Sequence, residues 1–259
     1  MPVRLAATPH EKVWGSPLTE PWYRNPEGRK IGEVWFAAAD SVPLLVKLLF
    51  TSESLSVQVH PDDVYARAHG GERGKTEMWH VLRADEGARI GLGPREPLTP
   101  EGLRAASLTG EIERMLHWMP ARAGDTFFAP AGTIHAIGGG LVLCEVQQYS
   151  DVTYRLYDYG RPRELHLDEA VAVARVEPYE GRVEALPVAC PYFRTDRLVV
   201  NGVVRCPAVG RNTIYVAIEG DGTIAGEAFH TGEAWEIRAG DGPFEIVSER
   251  AVFLITAES

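Results

Sequence analysis

Three short runs of the chain carry side chains whose types and spacing suit a metal-dependent reaction. They are Leu55-Ser-Val-Gln-Val-His-Pro-Asp-Asp63, Gly74-Lys-Thr-Glu-Met-Trp-His-Val-Leu82 and Gly124-Asp-Thr-Phe-Phe-Ala-Pro-Ala-Gly-Thr-Ile-His135. Side chains on a strand alternate between faces, so Ser56, Gln58 and His60 point one way and Leu55, Val57 and Val59 the other. The same alternation sets Lys75, Glu77, Trp79 and Val81 on one face of the second run. With His135 from the third, these supply an amide oxygen, two imidazoles and a carboxylate, a mixed N/O donor set acceptable to Zn2+ and to other first-row divalent ions. A single histidine near a strand end is more often a satisfied polar residue than a ligand. The shared pocket face is what sets this group apart.

The elements that must position these groups read mainly as strands. The strand over 55–60 ends at Pro61-Asp-Asp63, a turn or helix-start signal, with one or two helical turns expected over 62–68. A glycine-rich loop, 70–74, precedes the strand over 75–82. Further strands are expected over 31–36, 43–50 (with few polar positions and therefore buried on both faces), 89–93, 123–128 and 141–148, the last continued by 150–155. Alternation puts Leu141, Leu143, Glu145 and Gln147 on one face. Residues 1–30, rich in Pro, Gly and aromatics, read as an ordered but irregular lead-in. Thr99-Pro100 is a helix N-cap with Pro at the first helical position, and Ile112, Met115 and Leu116 fall at helical spacing, so 99–116 is the helical stretch of the first half. A short helix over 165–173 is expected as a hinge. Beyond it, apolar segments at 193–200, 213–218, 222–224, 233–237 and 244–255 alternate with glycine-rich turns, the spacing of a second sandwich or barrel. His230 stands alone there and reads as structural.

Composition excludes several classes of function. The 36 acidic residues outnumber the 26 basic ones to give −10, which argues against nucleic acid as the main partner. No apolar run approaches the roughly 18 residues of a membrane span, since Pro43 and Lys47 break the longest, 42–50. The N-terminal residues are too poor in apolar side chains for a signal peptide. Cys144, Cys190 and Cys206 are odd in number and far apart, so they are expected to be reduced and packed inside, as in a cytoplasmic protein.

Gly124, five residues, Pro130-Ala-Gly132, two residues and then His135 match the second motif of the cupin superfamily, except that Gly139 stands where its terminal Asn would be. The first cupin motif, His-x-His, is altered here to Gln58-Val-His60. Together with Pro61-Asp62, Lys75-Thr-Glu77, Glu145 and Arg155, this pattern resembles the type I mannose-6-phosphate isomerases, in particular the short bacterial form. The resemblance extends through Trp14-Gly15, Ile31-Gly-Glu-Val-Trp35, Pro43-Leu-Leu-Val-Lys47, Ser56 and Ser150-Asp-Val-Thr-Tyr-Arg155, about two thirds of the chain in blocks.

The resemblance implies two cupin-like jelly-roll barrels with a small helical insertion: a metal-binding domain over 1–163, a helical connection over 164–183 and a degenerate second domain over 184–259. It implies one zinc ion per chain held by Gln58, His60, Glu77 and His135, with Arg155 as the essential arginine. It also implies a small-molecule sugar phosphate as partner, and leaves the oligomeric state open. The implied reaction interconverts mannose 6-phosphate and fructose 6-phosphate through an enediol. Lys75, Glu145 and Asp151 are the candidates for proton transfer, with a turn-capping role as the rival for Asp151. Ser56 and Arg161 are candidate phosphate contacts, with a surface ion pair to Asp158 as the rival for Arg161. Three departures stand out: only 99–116 corresponds to the large helical domain of the long enzymes, Gly74 replaces a His found in some of them, and Arg161 fills a long-form basic position. A metal-dependent cupin oxygenase and a non-catalytic sugar-phosphate-binding cupin are the alternatives, the first weakened by Gln58 in place of a His.

Overall fold

The structure, a computed structural model, describes residues 1–38, 42–179, 181 and 183–259, and divides into two compact units. One comprises Met1–Phe50, Cys144–Val146 and Ala185–Ser259; the other comprises Thr51–Leu143 and Gln147–Glu184. Residues 180 and 182, at the end of the expected 164–183 connection, lie outside the described residues. The fold is mainly β, as the sequence predicts, and is a jelly roll of the cupin kind with a small helical insertion.

In the unit that holds the three motifs, a five-stranded antiparallel sheet runs Tyr154–Tyr157, Val57–Val59, His135–Ile137, Arg89–Pro94 and Leu116–Pro120. A separate ladder pairs Glu77–Ala84 with Thr126–Ala129, which in turn pairs with Val183–Glu184. The apolar side of the five-stranded sheet, with Val57, Val59, Ala136 and Leu156, packs on Leu103, Ala106 and Ile112 of the helical insertion and Ala170 of the helix Leu167–Val173. The insertion forms as predicted. Thr99 caps Pro100–Thr109 by accepting from the Gly102 N–H at 3.0 Å, and Gly110, at φ 80°, ends it in the left-handed conformation that glycine adopts without steric cost. Asp62 caps Asp63–Ala68 in the same way, from the Tyr65 N–H.

Five segments differ from the sequence-based expectation. The strand expected over 55–60 is Val57–Val59, so Ser56 and His60 flank it. The lead-in is irregular only in its second half, 17–30: Ala7–Ser16 is a strand paired antiparallel to Ile31–Ala37. Its Pro and Gly residues disguise it, and Gly15 is there because a Cβ would meet the Lys30 carbonyl oxygen at 2.6 Å. Residues 150–155 do not continue Leu141–Gln148. A turn at Ser150, whose N–H donates to the Gln148 carbonyl, sends the chain to a new strand, Tyr154–Tyr157, in the five-stranded sheet. Leu116, expected to close the helical stretch, opens the strand Leu116–Pro120. The strand expected to stop at 200 runs Phe193–Cys206, because Asn201-Gly202 makes a bulge, with Gly202 at φ 80°, instead of a turn. Leu44–Thr51 is buried throughout, as its lack of polar positions predicts.

In the other unit an eight-stranded sheet is built mostly from Phe193–Cys206, Thr213–Glu219, Ala234–Ile237 and Phe244–Glu258. It closes over Trp235, Phe229, Phe253, Tyr215 and Ile246. All three cysteines are free; Cys144 and Cys206 are buried and Cys190 is half-buried. Among the described residues no helix is long and apolar enough to cross a membrane.

Candidate metal centre

The strand Val57–Val59 lies between the strands carrying His135 and Arg155, and both residues sit opposite Gln58 in register. Directly opposed residues project to the same face. Gln58, His135 and Arg155 therefore share a face, while Val57 and Val59 face the core, as the alternation predicts. Each motif has a local reason for its shape. Gly132, at φ 85°, donates its N–H to the His60 carbonyl at 2.8 Å, and Thr133 closes the Pro130–Thr133 turn at 3.0 Å, which aims His135 inward. Gly74 fits because a Cβ there would meet Pro61 O and Asp62 C at 2.6 and 2.4 Å. Its N–H donates to Asp63 Oδ1, which also accepts from Gln148 Nε2, and Gln148 Oε1 accepts from the Thr76 N–H. That chain of bonds fixes the start of the Glu77 strand.

His60, Glu77 and His135 converge, with ligand atoms all within 4.8 Å of one another and every one of the three residues buried. Glu77 Oε1 lies 3.3 Å from His60 Nε2 and 3.1 Å from His135 Nε2, while Lys75 Nζ lies 3.1 Å from Glu77 Oε2. The Nδ1–H of His60 donates to the Val152 carbonyl at 2.8 Å, and that of His135 to the Thr133 carbonyl at 2.9 Å. Both rings are thus held in the tautomer that turns the Nε2 lone pair toward Glu77. His60 Nε2 and Glu77 Oε1 are buried without a hydrogen-bond partner, while Glu77 Oε2 faces the Lys75 ammonium. Buried acceptors left this way are costly unless a cation takes them, so the residues fit a metal ion.

Electrostatics agree with that fit. Burial, then the Lys75 ammonium, lowers the His60 pKa to about 3, so the ring is neutral and free to coordinate. Burial pushes the Glu77 carboxyl upward, but Lys75 and the two imidazoles outweigh it and hold the group well below its ordinary value, as a carboxylate. Gln58 turns its amide nitrogen to His135 Nε2 at 3.2 Å, and its Oε1 accepts from Ser56 Oγ at 3.2 Å. Rotating the amide by half a turn exchanges the two atoms and would present the oxygen instead.

The remaining sequence candidates sit in different surroundings. Arg155 donates from Nη1 to the Glu164 carbonyl at 2.6 Å, and burial, then Arg163, lowers its pKa. Arg161 is not in a surface ion pair: Asp158, 2% exposed, accepts from Arg161 at 2.9 Å and from Arg163 at 2.6 Å. Arg161 also donates to the Ser54 carbonyl at 2.7 Å. Asp151 is exposed. Glu145 belongs to the other unit, where it forms a buried ion pair with Lys47 at 3.2 Å. His230 is exposed beside Asp221. Sequence reading missed the Val152 and Thr133 carbonyls and Gln148. Main-chain acceptors leave no residue signature.

No family model matches the chain. Mannose-6-phosphate isomerase ManA of Bacillus subtilis is 36% identical over 229 residues, covering 80% of this chain and 72% of that protein. This chain belongs to the mannose-6-phosphate isomerase family. A second member, mannose-6-phosphate isomerase from Streptococcus mutans, is 39% identical over 198 residues, 70% of this chain and 62% of its own length, so the chain spans less than two thirds of that relative. Among solved structures of the family, the mannose 6-phosphate isomerase from Bacillus subtilis superposes with a TM-score of 0.89 at 28% identity, over 98% of this chain and 99% of that one. The structure of a putative mannosephosphate isomerase from Archaeoglobus fulgidus shares the fold, with a TM-score of 0.85 at 20% identity.

Proposed function

We propose that the chain interconverts mannose 6-phosphate and fructose 6-phosphate, using one zinc ion held by His60, Glu77 and His135 with the Gln58 amide oxygen as fourth ligand. The observation that carries this reading is the convergence of two tautomer-locked imidazoles and a carboxylate on one point. Two imidazoles with two oxygens suit zinc. Bound there, the ion would act as a Lewis acid on the sugar's C1 and C2 oxygens.

The chain's own groups do the rest. The Arg155 guanidinium, on the same face as Gln58, balances the negative charge that develops as the enediol forms. Lys75 Nζ, buried beside Glu77, is the proton carrier between the two carbons; of the other candidates, Asp151 is exposed and Glu145 is held in its ion pair with Lys47. Ser56 and Arg161 contact the phosphate, although Ser56 Oγ also orients Gln58 and Arg161 is already engaged by Asp158. A catalytic domain over 1–163, a connection over 164–183, a metal-free domain over 184–259, a cytoplasmic location and a sugar phosphate as substrate belong to the same proposal.

A coupled assay of mannose 6-phosphate turnover tests it. Turnover should vanish with chelator and return on adding zinc. Zinc-loaded protein that leaves mannose 6-phosphate unchanged would remove the proposal.

A further inference from the structure

The five-stranded sheet has a second polar surface. His135 lies opposite Leu92, so Gly91, one residue on, faces the other side of the sheet, together with its own partner Trp118. On that side a cavity of about 560 Å3 is lined by Arg89, Arg95, Glu113, Arg114, His117 and Trp118. Three guanidiniums face one carboxylate, Glu113, whose oxygen is 3.7 Å from Arg89. The lining therefore carries +2 before His117 is counted, in a chain whose net charge is −10.

These cations are held in place. The Arg89 guanidinium lies 4.3 Å over the Trp118 ring, and the indole N–H is fixed on the Glu113 carbonyl at 2.8 Å. Arg95 donates its side chain to the Arg114 carbonyl and its N–H to the Met115 carbonyl at 2.9 Å. Gly91 leaves room for the indole, since a Cβ there would press on Trp118 at 3.2 Å.

We propose that this cavity binds a small molecule bearing two or more phosphate groups, on the sheet face opposite the metal centre. Like charges gathered with a single counter-carboxylate repel one another, and an oligophosphate relieves that repulsion. Guanidinium forks match phosphate oxygens two at a time, and the volume lies in the range of small-molecule sites, roughly 300–1,000 Å3. Two sources share this chemistry, an inorganic oligophosphate and a nucleotide.

The test is calorimetric titration of the full-length, metal-loaded protein with inorganic triphosphate and, separately, with ATP. Saturable binding of triphosphate is expected, weakened about tenfold or more in Arg114→Ala and in Arg89→Ala, the loss of one charge-assisted hydrogen bond or more. Mannose 6-phosphate turnover should be unchanged in both variants, whose substituted side chains are exposed, and binding should survive Arg155→Ala. Equal affinity for the two probes assigns the site to inorganic oligophosphates, and tighter ATP binding assigns it to nucleotides. Absence of saturable binding at ~1 mM probe, or undiminished affinity in the triple Arg89→Ala, Arg95→Ala, Arg114→Ala variant, overturns the proposal.

Discussion

The five-stranded sheet that carries Gln58, His135 and Arg155 and the eight-stranded sheet built over 193–258 are both antiparallel and both bury a face, but they fill that face differently. In the eight-stranded sheet the interior is aromatic and aliphatic, with Trp235, Phe229 and Phe253 fully buried. Buried threonines there satisfy one another, as Thr195 and Thr256 do at 2.9 Å. In the unit with the five-stranded sheet, two imidazoles, a carboxylate and a lysine meet, and His60 Nε2 and Glu77 Oε1 are left without a hydrogen bond. The architecture is indifferent to chemistry. What makes one region reactive is a set of polar side chains at the ends of the strands Val57–Val59, Glu77–Ala84 and His135–Ile137, with main-chain carbonyls at Val152 and Thr133 turning the rings.

This contrast can be broken at several points. The largest effect is expected from His135→Ala, which removes one ligand and should cost metal content together with turnover, the latter by about a thousandfold given the several kcal/mol that a Lewis acid contributes. Turnover that survives loss of the metal would erase the distinction between the two regions. Trp235→Ala should do the opposite. It is expected to lower unfolding free energy in denaturant by about 3–5 kcal/mol, while the folded protein keeps its metal content and its rate.

Acid should act mainly on the reactive region. His60 titrates near 6.5 when unfolded and near 3 when folded, so in that window the unfolded chain binds a proton that the folded chain refuses. Stability of the metal-free protein should therefore fall as pH drops below 6.5, by at most ~1.4 kcal/mol per pH unit for this group. Glu77, held below its ordinary value, adds its own loss at lower pH. Denaturation midpoints flat between pH 7 and 5 would contradict the buried neutral ring. Smallest of all, Thr99→Ala should cost about 1 kcal/mol through loss of the helix cap, with metal content unchanged.

Much of this was legible in the sequence. Alternation around Gln58, with Val57 and Val59 turned to the core, needs nothing but strand geometry, the Pro-x-Gly bend before His135 announces its own turn, and Thr99-Pro100 announces a helix start. Where reading failed, the cause was physical. Pro9 and Gly15 masked a strand whose glycine serves close backbone packing. Asn201-Gly202 has the chemistry of a turn but makes a bulge inside a 14-residue strand. Asp158 reads as one half of a surface pair with Arg161, and only the fold shows it buried between two arginines. The carbonyls that fix the two imidazoles could not be found in any list of residue types.

The most direct single measurement is the metal-to-protein ratio of the purified chain and of Glu77→Gln, determined by elemental analysis after exhaustive dialysis. The expected result is one tightly held ion per native chain and a near-zero ratio in the variant. A native chain without metal, or a Glu77→Gln protein that retains a full equivalent, would contradict the convergence of His60, Glu77 and His135 on a single ion.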